Sequence, residues 1–600
     1  MKELAQGRAR KPTRVLSAVV LLLLVTATSV GVSQYLARAY NYHPALGTPV
    51  AGRWYWPWAW VGWYGAEAER QPLLYRKALG GGLLGLAGGL FLYFIGITMY
   101  QRTGRGNSHL HGSAHWASKE EIEASGLMAD GGVYVGGWQD GRTLRYLRHN
   151  GPEHILVFAP TRSGKGVGIV LPTLLSWPAS VVVLDIKGEN WSLTSGWRQR
   201  HAGSRVLRYA PGEPEDTVRF NPLAEVRLGT PYEVSDVQNL ATMIVDPDGR
   251  GLNDHWAKTG HALLVGGILH CLYVERQRGG LATLAGVAGL LSDPARPIEA
   301  IFQEMLETEH TGAGVHPVVA ASARDMLNKA ENERSGVLST AMSFLTLYRD
   351  PIVAQNTAVS DFTIRDLMSH DQPVSLYVVV GPNNKDRLKP LLRLLVNQIV
   401  RTLTEKMEFA GGRSTKHYRH RLLLLLDEFP SLGRLDVFQE SMAYIAGYGI
   451  KALLIVQDLA QLYAAYGRDE SIVSNCHVRV AYAPNKIETA ELLSKLTGTT
   501  TVLKQSVSVS GKRLGPVLGQ VQESVQEVAR PLLTPDECMR LPGAQKASDP
   551  SHPDGKIVRA GDMLVMVAGH APIYGRQILY FLDPVFQARA RLLAPPTDRL

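Results

Sequence analysis

A loop rich in glycine and positive charge follows a short apolar run near residue 160, and its residue types suit phosphate binding. Residues 155–158 (ILVF) predict a buried strand, and the loop after it contains Thr161, Arg162, Ser163, Gly164, Lys165, Gly166 and Val167. In a strand–loop–helix unit of this kind, backbone N–H groups surround a β-phosphate and the lysine reaches the β- and γ-phosphate oxygens. The loop is therefore a candidate nucleotide-binding site centred on Lys165.

Two positions of this loop differ from the usual phosphate-binding pattern. Ala159 stands where a first glycine is common, and Gly166 stands where a Ser or Thr hydroxyl usually contacts Mg²⁺. Because Mg²⁺ tolerates coordination that is mostly water, we expect the ion to keep one more water here or to take another ligand. We also expect a serine at position 166 to be tolerated for ATP binding.

A second motif far downstream supplies the carboxylates that such a loop needs. Residues 422–426 are five leucines that predict a buried strand, and Asp427 and Glu428 follow directly. Asp427 is the candidate Mg²⁺ ligand, and Glu428 is the candidate base that activates water. The alternative is a carboxylate pair that caps the next helix. The two motifs together predict an ATP- and Mg²⁺-dependent ATPase.

Two further side chains are candidates for sensing or stabilising the transferred phosphate. Gln457 ends the apolar run 452–456, where a γ-phosphate sensor would lie; the alternative is a buried amide that satisfies backbone groups. Arg434 follows the Asp-Glu motif and is the candidate arginine that completes the site of a neighbouring subunit.

Charge and cysteine content exclude some functional classes. The chain has 600 residues and a net charge of +9, but residues 1–105 carry 12 Lys or Arg against 3 Glu, which leaves 51 basic and 51 acidic side chains in the rest. The bulk charge of the remaining chain therefore gives no argument for nucleic-acid binding. The three cysteines, Cys271, Cys476 and Cys538, are far apart and predict neither disulfides nor a metal site.

Residues 1–105 predict a membrane anchor. Residues 15–36 and 78–100 are uncharged and long enough to cross a hydrocarbon core of about 30 Å. Lys2, Arg8 and Lys11 precede the first span and favour a cytoplasmic N-terminus and a cytoplasmic remainder of the chain. The alternative is a cleaved signal peptide, in which case the second span would stop transfer and leave the rest inside.

The segment between the spans, residues 37–77, holds five of the chain's eleven tryptophans. They are interpreted either as an interfacial aromatic belt or as a docking surface for a membrane partner. In the second span, Gly81, Gly85 and Gly89 recur every four residues, a spacing that predicts a face for close helix packing.

The cytoplasmic part predicts an α/β fold with a doubly wound, mostly parallel sheet. Short buried strands alternate with helical patterns, whereas residues 224–366 show helical patterns only. We therefore expect a nucleotide-binding domain in two parts, 106–223 and 367–590, interrupted by an all-helical insertion at 224–366 and followed by a tail at 591–600. A terminal hairpin of residues 563–567 and 577–582 is expected to close the sheet.

The chain resembles the TraG-type (TraG/TraD) coupling proteins of type IV secretion and conjugation. The resemblance runs from residue 1 to about 590 and is carried by LHGSA at 110–114, APTRSGKGVG at 159–168, DIKGENW at 185–191, FNPL at 220–223, LDEFPSLGR at 426–434, AGYGIK at 446–451 and VQDLAQL at 456–462. It implies two transmembrane helices, an inserted helical domain and a RecA-like ATPase that forms a hexamer at the bacterial inner membrane. Such a protein receives single-stranded DNA with its bound relaxase and delivers it to the type IV secretion channel.

Two other functions remain open at this stage. The same motor could translocate effector proteins instead of DNA, and the chain could be a weakly hydrolysing membrane scaffold that links cargo to the channel. Lys165, Asp427 and Glu428 are all present, which argues against a silent scaffold.

Overall fold

The structure of the chain is a computed structural model. It describes residues 14–102, 110–246, 248–405, 408–410, 413–415, 418–509, 521–549 and 552–600. The chain divides into two compact units, one formed by Met1–Leu110 with Val502–Val528 and the other by His111–Thr501 with Ala529–Leu600.

The first unit contains three N-terminal helices, α1 (Arg14–Ala39), α2 (Ala59–Glu67) and α3 (Pro72–Arg102). Within α1 and α3, Ala18–Ala39 and Pro72–Gly96 are long and apolar enough to cross a membrane. The second of these stretches begins six residues before the expected position 78. The basic residues Lys2, Arg8 and Lys11, on which the expected orientation rests, lie outside the described residues.

Close packing of α1 against α3 depends on Gly82 and Gly89. A Cβ on Gly82 would lie 2.6 Å from Val32, and one on Gly89 would lie 2.8 Å from Leu24. The expected contact face of Gly81, Gly85 and Gly89 is therefore wrong at its first two positions, where an added Cβ meets nothing within 4 Å. The two close contacts lie seven residues apart, at Gly82 and Gly89.

The tryptophan-rich segment divides into a bonded part and an exposed part. The Trp60 indole N–H donates to Ser29 Oγ at 2.8 Å, and the Trp63 indole N–H donates to the Leu46 carbonyl at 3.0 Å. Trp54, Trp56 and Trp58 are half or more exposed, which suits an interfacial or docking role rather than a core role.

The second unit is built on a mixed eleven-stranded sheet. Its strands are β1 (Val133–Asp140), β2 (Thr143–His149), β3 (His154–Phe158), β4 (Ser180–Asp185), β5 (Arg205–Tyr209), β6 (Val374–Val379), β9 (Leu422–Leu426), β10 (Ile450–Val456), β11 (Cys476–Ala481), β16 (Asp562–Val567) and β17 (Ile573–Arg576). Four further strands form two separate two-stranded sheets, β7 (Glu408–Ala410) with β8 (Arg413–Thr415) and β14 (Gln545–Asp549) with β15 (His552–Arg559). A third two-stranded sheet, β12 (Thr499–Val509) with β13 (Val521–Pro531), falls mostly within Val502–Val528, which belongs to the first unit.

The strand order confirms the predicted doubly wound, mostly parallel sheet. It is β2-β1-β17-β16-β11-β3-β10-β9-β4-β6-β5, and all neighbours from β11 to β5 run parallel. The other four strands extend the sheet antiparallel on one side. Parallel strands buried on both faces explain why these segments are almost continuously apolar.

Helices cover both faces of the sheet and fill the interval between β5 and β6. They are α4 (Lys119–Ala124), α5 (Leu171–Leu174), α6 (Glu189–Arg200), α7 (Glu233–Val245), α8 (His255–Gln277), α9 (Leu284–Leu291), α10 (Ile298–Glu307), α11 (Pro317–Asn328), α12 (Glu331–Leu345), α13 (Pro351–Asn356), α14 (Asp366–Ser369), α15 (Lys385–Leu403), α16 (Asp436–Ser441), α17 (Leu459–Tyr466), α18 (Ile472–Asn475), α19 (Ile487–Thr497), α20 (Pro535–Met539) and α21 (Pro584–Ala590). Between β5 and β6 the described residues contain helices α7 to α14 and no strand.

Successive side chains of the central strands lie alternately in two hydrophobic cores, one on each face of the sheet. Leu156 and Phe158 of β3 pack in one core, while Ile155 and Val157 pack in the other on the opposite face. Complete burial of such side chains contributes about 1.5–3 kcal/mol each. This double burial holds the strand ends of the sheet in fixed relative positions.

Two features of the sheet differ from the sequence expectation. The partner of residues 563–567 in the terminal hairpin is β17, and the expected partner 577–582 lies after it and includes a short 3-10 turn at Tyr580–Leu582. The expectation was wrong because residues 577–582 are more apolar than β17, which carries a glycine and an arginine. The hairpin of β1 and β2 was not expected at all, although Asp140 and Gly141 at its turn are a usual signal for one.

Candidate nucleotide-binding site

Three neighbouring parallel strands bring the predicted site residues to one edge of the sheet. β10 lies between β3 and β9, with Val456 paired to Phe158 and Leu454 paired to Leu426. The loop after β3, Gln457 after β10 and Asp427 after β9 therefore emerge side by side. In open α/β sheets, this carboxyl edge is where ligands bind.

The loop after β3 has the backbone of a phosphate cradle. Arg162 has a φ of 62° and Gly164 a φ of 96°, and the N–H of Gly168 donates to the Gly164 carbonyl at 2.9 Å. Gly166–Val170 then forms one π-helical turn that leads into α5. A side chain at 164 would be strained by its left-handed backbone and would face Gln577, whose Oε1 lies 3.5 Å from the added Cβ.

Lys165 and Asp427 are joined by an ion pair. The Lys165 Nζ lies 2.6 Å from Asp427 Oδ1, although the two residues are 262 positions apart in the chain. Both side chains are partly exposed, at 16% and 25%. The ammonium and the carboxylate that we assign to phosphate and Mg²⁺ thus occupy one small region of the sheet edge.

The remaining loop residues differ in how their side chains are used. Thr161 Oγ1 donates to Gln457 Oε1 at 3.3 Å, which links the loop to the end of β10. Ser163 Oγ is buried without a hydrogen-bond partner among the described residues. An added Cβ on Gly166 meets nothing within 4 Å, so the position has room for a side chain. Val167 lies beside Gly164, with its Cγ2 at 3.6 Å from the Cβ that Gly164 lacks.

Glu428 has a strained backbone and two electrostatic neighbours. Its φ of 53° and ψ of 41° lie in the left-handed region, which non-glycine residues seldom adopt. Its N–H donates to Asp427 Oδ1 at 2.9 Å, and its Oε2 lies 3.2 Å from Nζ of Lys385. Strain of this kind persists where the surrounding structure holds it, and it clusters at functional sites.

Arg434 lies near the site without touching the other predicted residues through an ion pair. Its Nε is 2.5 Å from Asp436 Oδ1, within its own segment. It lines an open cleft of about 740 Å³ together with Glu428, Gln457 and Lys385. The structure therefore places Arg434 at the same surface as the candidate base, and its role stays a prediction.

Lys385 is the residue near the site that sequence analysis missed. It begins α15, shortly after the parallel strand β6 ends at Val379. Because the carboxyl ends of parallel strands share one edge, polar residues after β6 were candidates for the site. The signal was weak because residues 381–386 (GPNNKD) have the composition of an ordinary turn.

Asp185, at the end of β4, fixes the turn that begins α6. Its Oδ2 accepts a hydrogen bond from the Trp191 N–H at 2.8 Å, and Oδ1 accepts one from the Lys187 N–H at 3.4 Å. Burial raises the pKa of the Asp185 carboxyl, and these N–H groups oppose that rise. The contacts show a structural role for this carboxylate.

The residues at this edge fit a Mg²⁺ ion that arrives with a nucleotide. Within the described ranges, no group of three or more His, Cys, Asp or Glu side chains is arranged to hold a metal. Mg²⁺ in phosphate chemistry is usually held by one or two carboxylates, phosphate oxygens and water. Asp427, with Glu428 beside it, supplies that donor set.

Comparison with known proteins identifies relatives of this chain. The sequence model described as "Type IV secretory system Conjugative DNA transfer" matches residues 115–597. The chain is 51% identical to a conjugal transfer protein TraG of Escherichia coli, over 99% of this chain and 96% of that protein. It is 30% identical to protein VirD4 of Agrobacterium fabrum, over 80% of this chain and 67% of that protein.

A solved structure shares the fold. The plasmid coupling protein TrwB in complex with ADP and Mg²⁺ superimposes with a TM-score of 0.53 at 16% identity, covering 78% of this chain and 93% of that chain. A second TrwB structure, with a non-hydrolysable ATP analogue, gives the same TM-score and identity. At this identity the likeness shows the fold.

Proposed function

The chain belongs to the type IV secretory system conjugative DNA-transfer family, and from that premise we propose that it is an inner-membrane coupling ATPase. It recruits a relaxase–DNA complex to a type IV secretion channel and drives transfer of single-stranded DNA by ATP hydrolysis. The observation that carries this proposal is the pairing of Lys165 with Asp427 at 2.6 Å, with Glu428 adjacent, at the carboxyl edge of the sheet.

Nucleotide binding is assigned to the loop after β3. Backbone N–H groups from Thr161 to Val167 would surround the phosphates, and Lys165 would exchange its bond to Asp427 for phosphate oxygens. That exchange frees the Asp427 carboxylate to hold Mg²⁺ through water. When bound, Mg²⁺ neutralises charge on the phosphates.

Hydrolysis is assigned to Glu428 and Gln457. Glu428 accepts a proton from the attacking water, and its carboxylate already faces the open cleft beside β9. Gln457 is placed to sense the γ-phosphate, because its side chain already contacts Thr161 of the phosphate loop. The alternative role of a purely structural amide is disfavoured by its place in the cleft lining.

We assign Arg434 to a neighbouring subunit's site in a homohexamer. An arginine in trans stabilises charge on the transferred phosphoryl group, and Arg434 is 45% exposed at the cleft surface. If the assignment holds, Arg434→Ala retains ATP binding and loses turnover. Unchanged turnover would remove Arg434 from the site.

The membrane topology is proposed from α1, α3 and the basic residues before α1. Both helices are long enough to span a bilayer. Because basic residues precede the first span, we assign the N-terminus and the ATPase part to the cytoplasm and residues 37–77 to the periplasm. Cysteine substitution at positions 45 and 300 with a membrane-impermeant thiol reagent tests this arrangement. Labelling of position 45 alone in intact cells is expected, and labelling of position 300 alone would reverse the topology.

The function is tested by ATP hydrolysis of the full-length protein in lipid. Turnover is measured with and without single-stranded DNA and relaxase, beside the variants Lys165→Ala and Glu428→Gln. DNA-stimulated turnover that both substitutions reduce by about 10²-fold or more, to a small residual rate, supports the DNA motor. Turnover indifferent to DNA favours effector-protein cargo, and silence under all conditions favours the scaffold.

A further inference from the structure

The cleft beside Glu428 contains a cation that no motif explains. Lys385 Nζ lies 3.2 Å from Glu428 Oε2, and both residues line the open cleft of about 740 Å³ that also contains Gln457. The Lys385 side chain is 26% exposed and that of Glu428 is 34% exposed. The pair is therefore accessible to water, as a site of hydrolysis requires.

Lys385 is held in place by the helix that it begins. α15 runs over 19 residues and contributes one face at Lys385, Lys389 and Arg393, which are spaced four residues apart. Arg393 is 1% exposed, and its Nη1 donates to the Leu432 carbonyl at 2.8 Å. Leu432 ends the 3-10 turn Phe429–Leu432, which begins directly after Glu428. The same helix therefore fixes both the backbone after Glu428 and the cation beside its carboxylate.

Glu428 needs such support because its own backbone does not fix its side chain. Its left-handed φ places it outside any regular helix or strand, and its N–H is already used by Asp427 Oδ1. Among the described residues, Lys385 is the one cation that pairs with its carboxylate. A carboxylate that must accept a proton from one water molecule has to point at that water within hydrogen-bond reach.

We propose that Lys385 is a positioning residue for hydrolysis, whose ammonium holds the Glu428 carboxylate towards the cleft where water attacks. The inference rests on the proposed ATPase function and deepens it. The cation acts through Glu428, so it affects the rate of the chemical step and leaves nucleotide binding to the loop around Lys165.

The first test separates turnover from binding. In full-length protein in lipid, Lys385→Met is expected to lower kcat about tenfold or more, a part of the 10²–10⁴ that a general base contributes. The KM for ATP and the affinity for a non-hydrolysable ATP analogue should change less than about threefold. Lys385→Arg, which keeps the charge, should recover most of the lost rate.

A matched control comes from the same first turn of α15. Arg387 pairs with Asp350 at 2.6 Å instead of Glu428, and it does not line the cleft. Arg387→Met should leave kcat unchanged while removing a similar surface cation. Equal losses in the Lys385 and Arg387 variants would mean that α15 needs its charges for folding, and the positioning role would be wrong.

A double-mutant cycle tests the route of the effect. If Lys385 acts through Glu428, Lys385→Met should cost nothing further in residual turnover when Glu428 is already Gln. An equal loss in both backgrounds would overturn the proposal, as would a Lys385→Met variant with normal kcat. A wild-type protein without any turnover would instead overturn the proposed function itself, together with this inference.

Discussion

Lys165 and Lys451 lie at opposite ends of neighbouring parallel strands, and the two ends of the sheet hold their lysines differently. Lys165 follows β3 and pairs with the Asp427 carboxylate, and both side chains are partly exposed. Lys451 lies near the start of β10 and is 1% exposed. Its Nζ lies 2.6 Å from His149 Nδ1 and donates to the carbonyls of His149 and Gly151 at 2.9 and 2.8 Å.

We interpret Lys165 as a lysine that binds a ligand and Lys451 as a lysine that stabilises the fold. A phosphate can replace the carboxylate partner of Lys165, because both are anions that approach from the open edge. Nothing can replace the neutral acceptors around Lys451, which belong to a loop that the lysine ties to the sheet. Burial lowers the pKa of Lys451 to about 7 and that of His149 to about 3, so the charged forms of both groups are disfavoured at this end.

The largest expected effect is at the ligand end. Lys165→Ala should lower ATP turnover by roughly 10²- to 10³-fold, because the phosphates lose a cation that no neighbour replaces. The thermal unfolding temperature should stay close to that of the wild type, since the pair with Asp427 is partly exposed. Parallel measurements of hydrolysis and thermal unfolding check this. A large loss of stability would show that Lys165, like Lys451, is needed for the fold.

The second effect is at the structural end. At pH 9, Lys451→Met should lower the free energy of unfolding by about 2 kcal/mol, because the carbonyls of His149 and Gly151 lose their buried donor. Turnover per folded molecule should remain within about twofold of the wild type. Denaturant unfolding and hydrolysis at the same pH measure both quantities; lost turnover in folded protein would show that Lys451 serves catalysis.

The pH dependence of that loss sharpens the comparison. A lysine with a native pKa of about 7 and an ordinary unfolded pKa binds more protons in the unfolded state between pH 7 and 10. Wild-type stability should therefore rise with pH in this window relative to Lys451→Met, by about 1–2 kcal/mol from pH 7 to 9. Unfolding curves of both proteins at the two pH values test the sign, and a constant difference would contradict the lowered pKa.

The smallest effect is expected at the start of the helix after the phosphate loop. Gly166→Ser should change the affinity for ATP less than about threefold, because the added atoms meet nothing within 4 Å and the residue has an ordinary φ. Titration with a fluorescent ATP analogue measures the affinity. A complete loss of binding would show that this loop excludes any side chain at 166.

The central strands and the ligand end were predictable from local signals. The apolar runs that became β3, β9 and β10 are buried on both faces, so their sequences are unambiguous. The motif residues at their ends followed from the rule that parallel strands present their carboxyl ends at one edge. The uncharged runs at 15–36 and 78–100 predicted the membrane anchor, and the family resemblance supplied the expected partners.

The contacts between distant segments were not predictable. The Lys385–Glu428 pair joins residues 43 positions apart through the packing of α15, and no spacing rule encodes it. The tie between Lys451 and residues 149–151 joins β10 to the end of β2, a strand that was not expected. Gly82 rather than Gly81 contacts α1 because helix rotation is set by the whole interface, which sequence periodicity alone does not fix.

The left-handed backbone of Glu428 costs stability at a residue that we assign to hydrolysis. A glycine at 428 would adopt the same φ without steric cost, so Glu428→Gly should relieve strain at the end of β9. The substitution would also increase the conformational entropy of the unfolded chain, which opposes this gain. It would also remove the carboxylate that we assign to accept a proton from water. Selection for a more stable protein and selection for faster ATP hydrolysis therefore favour different residues at position 428.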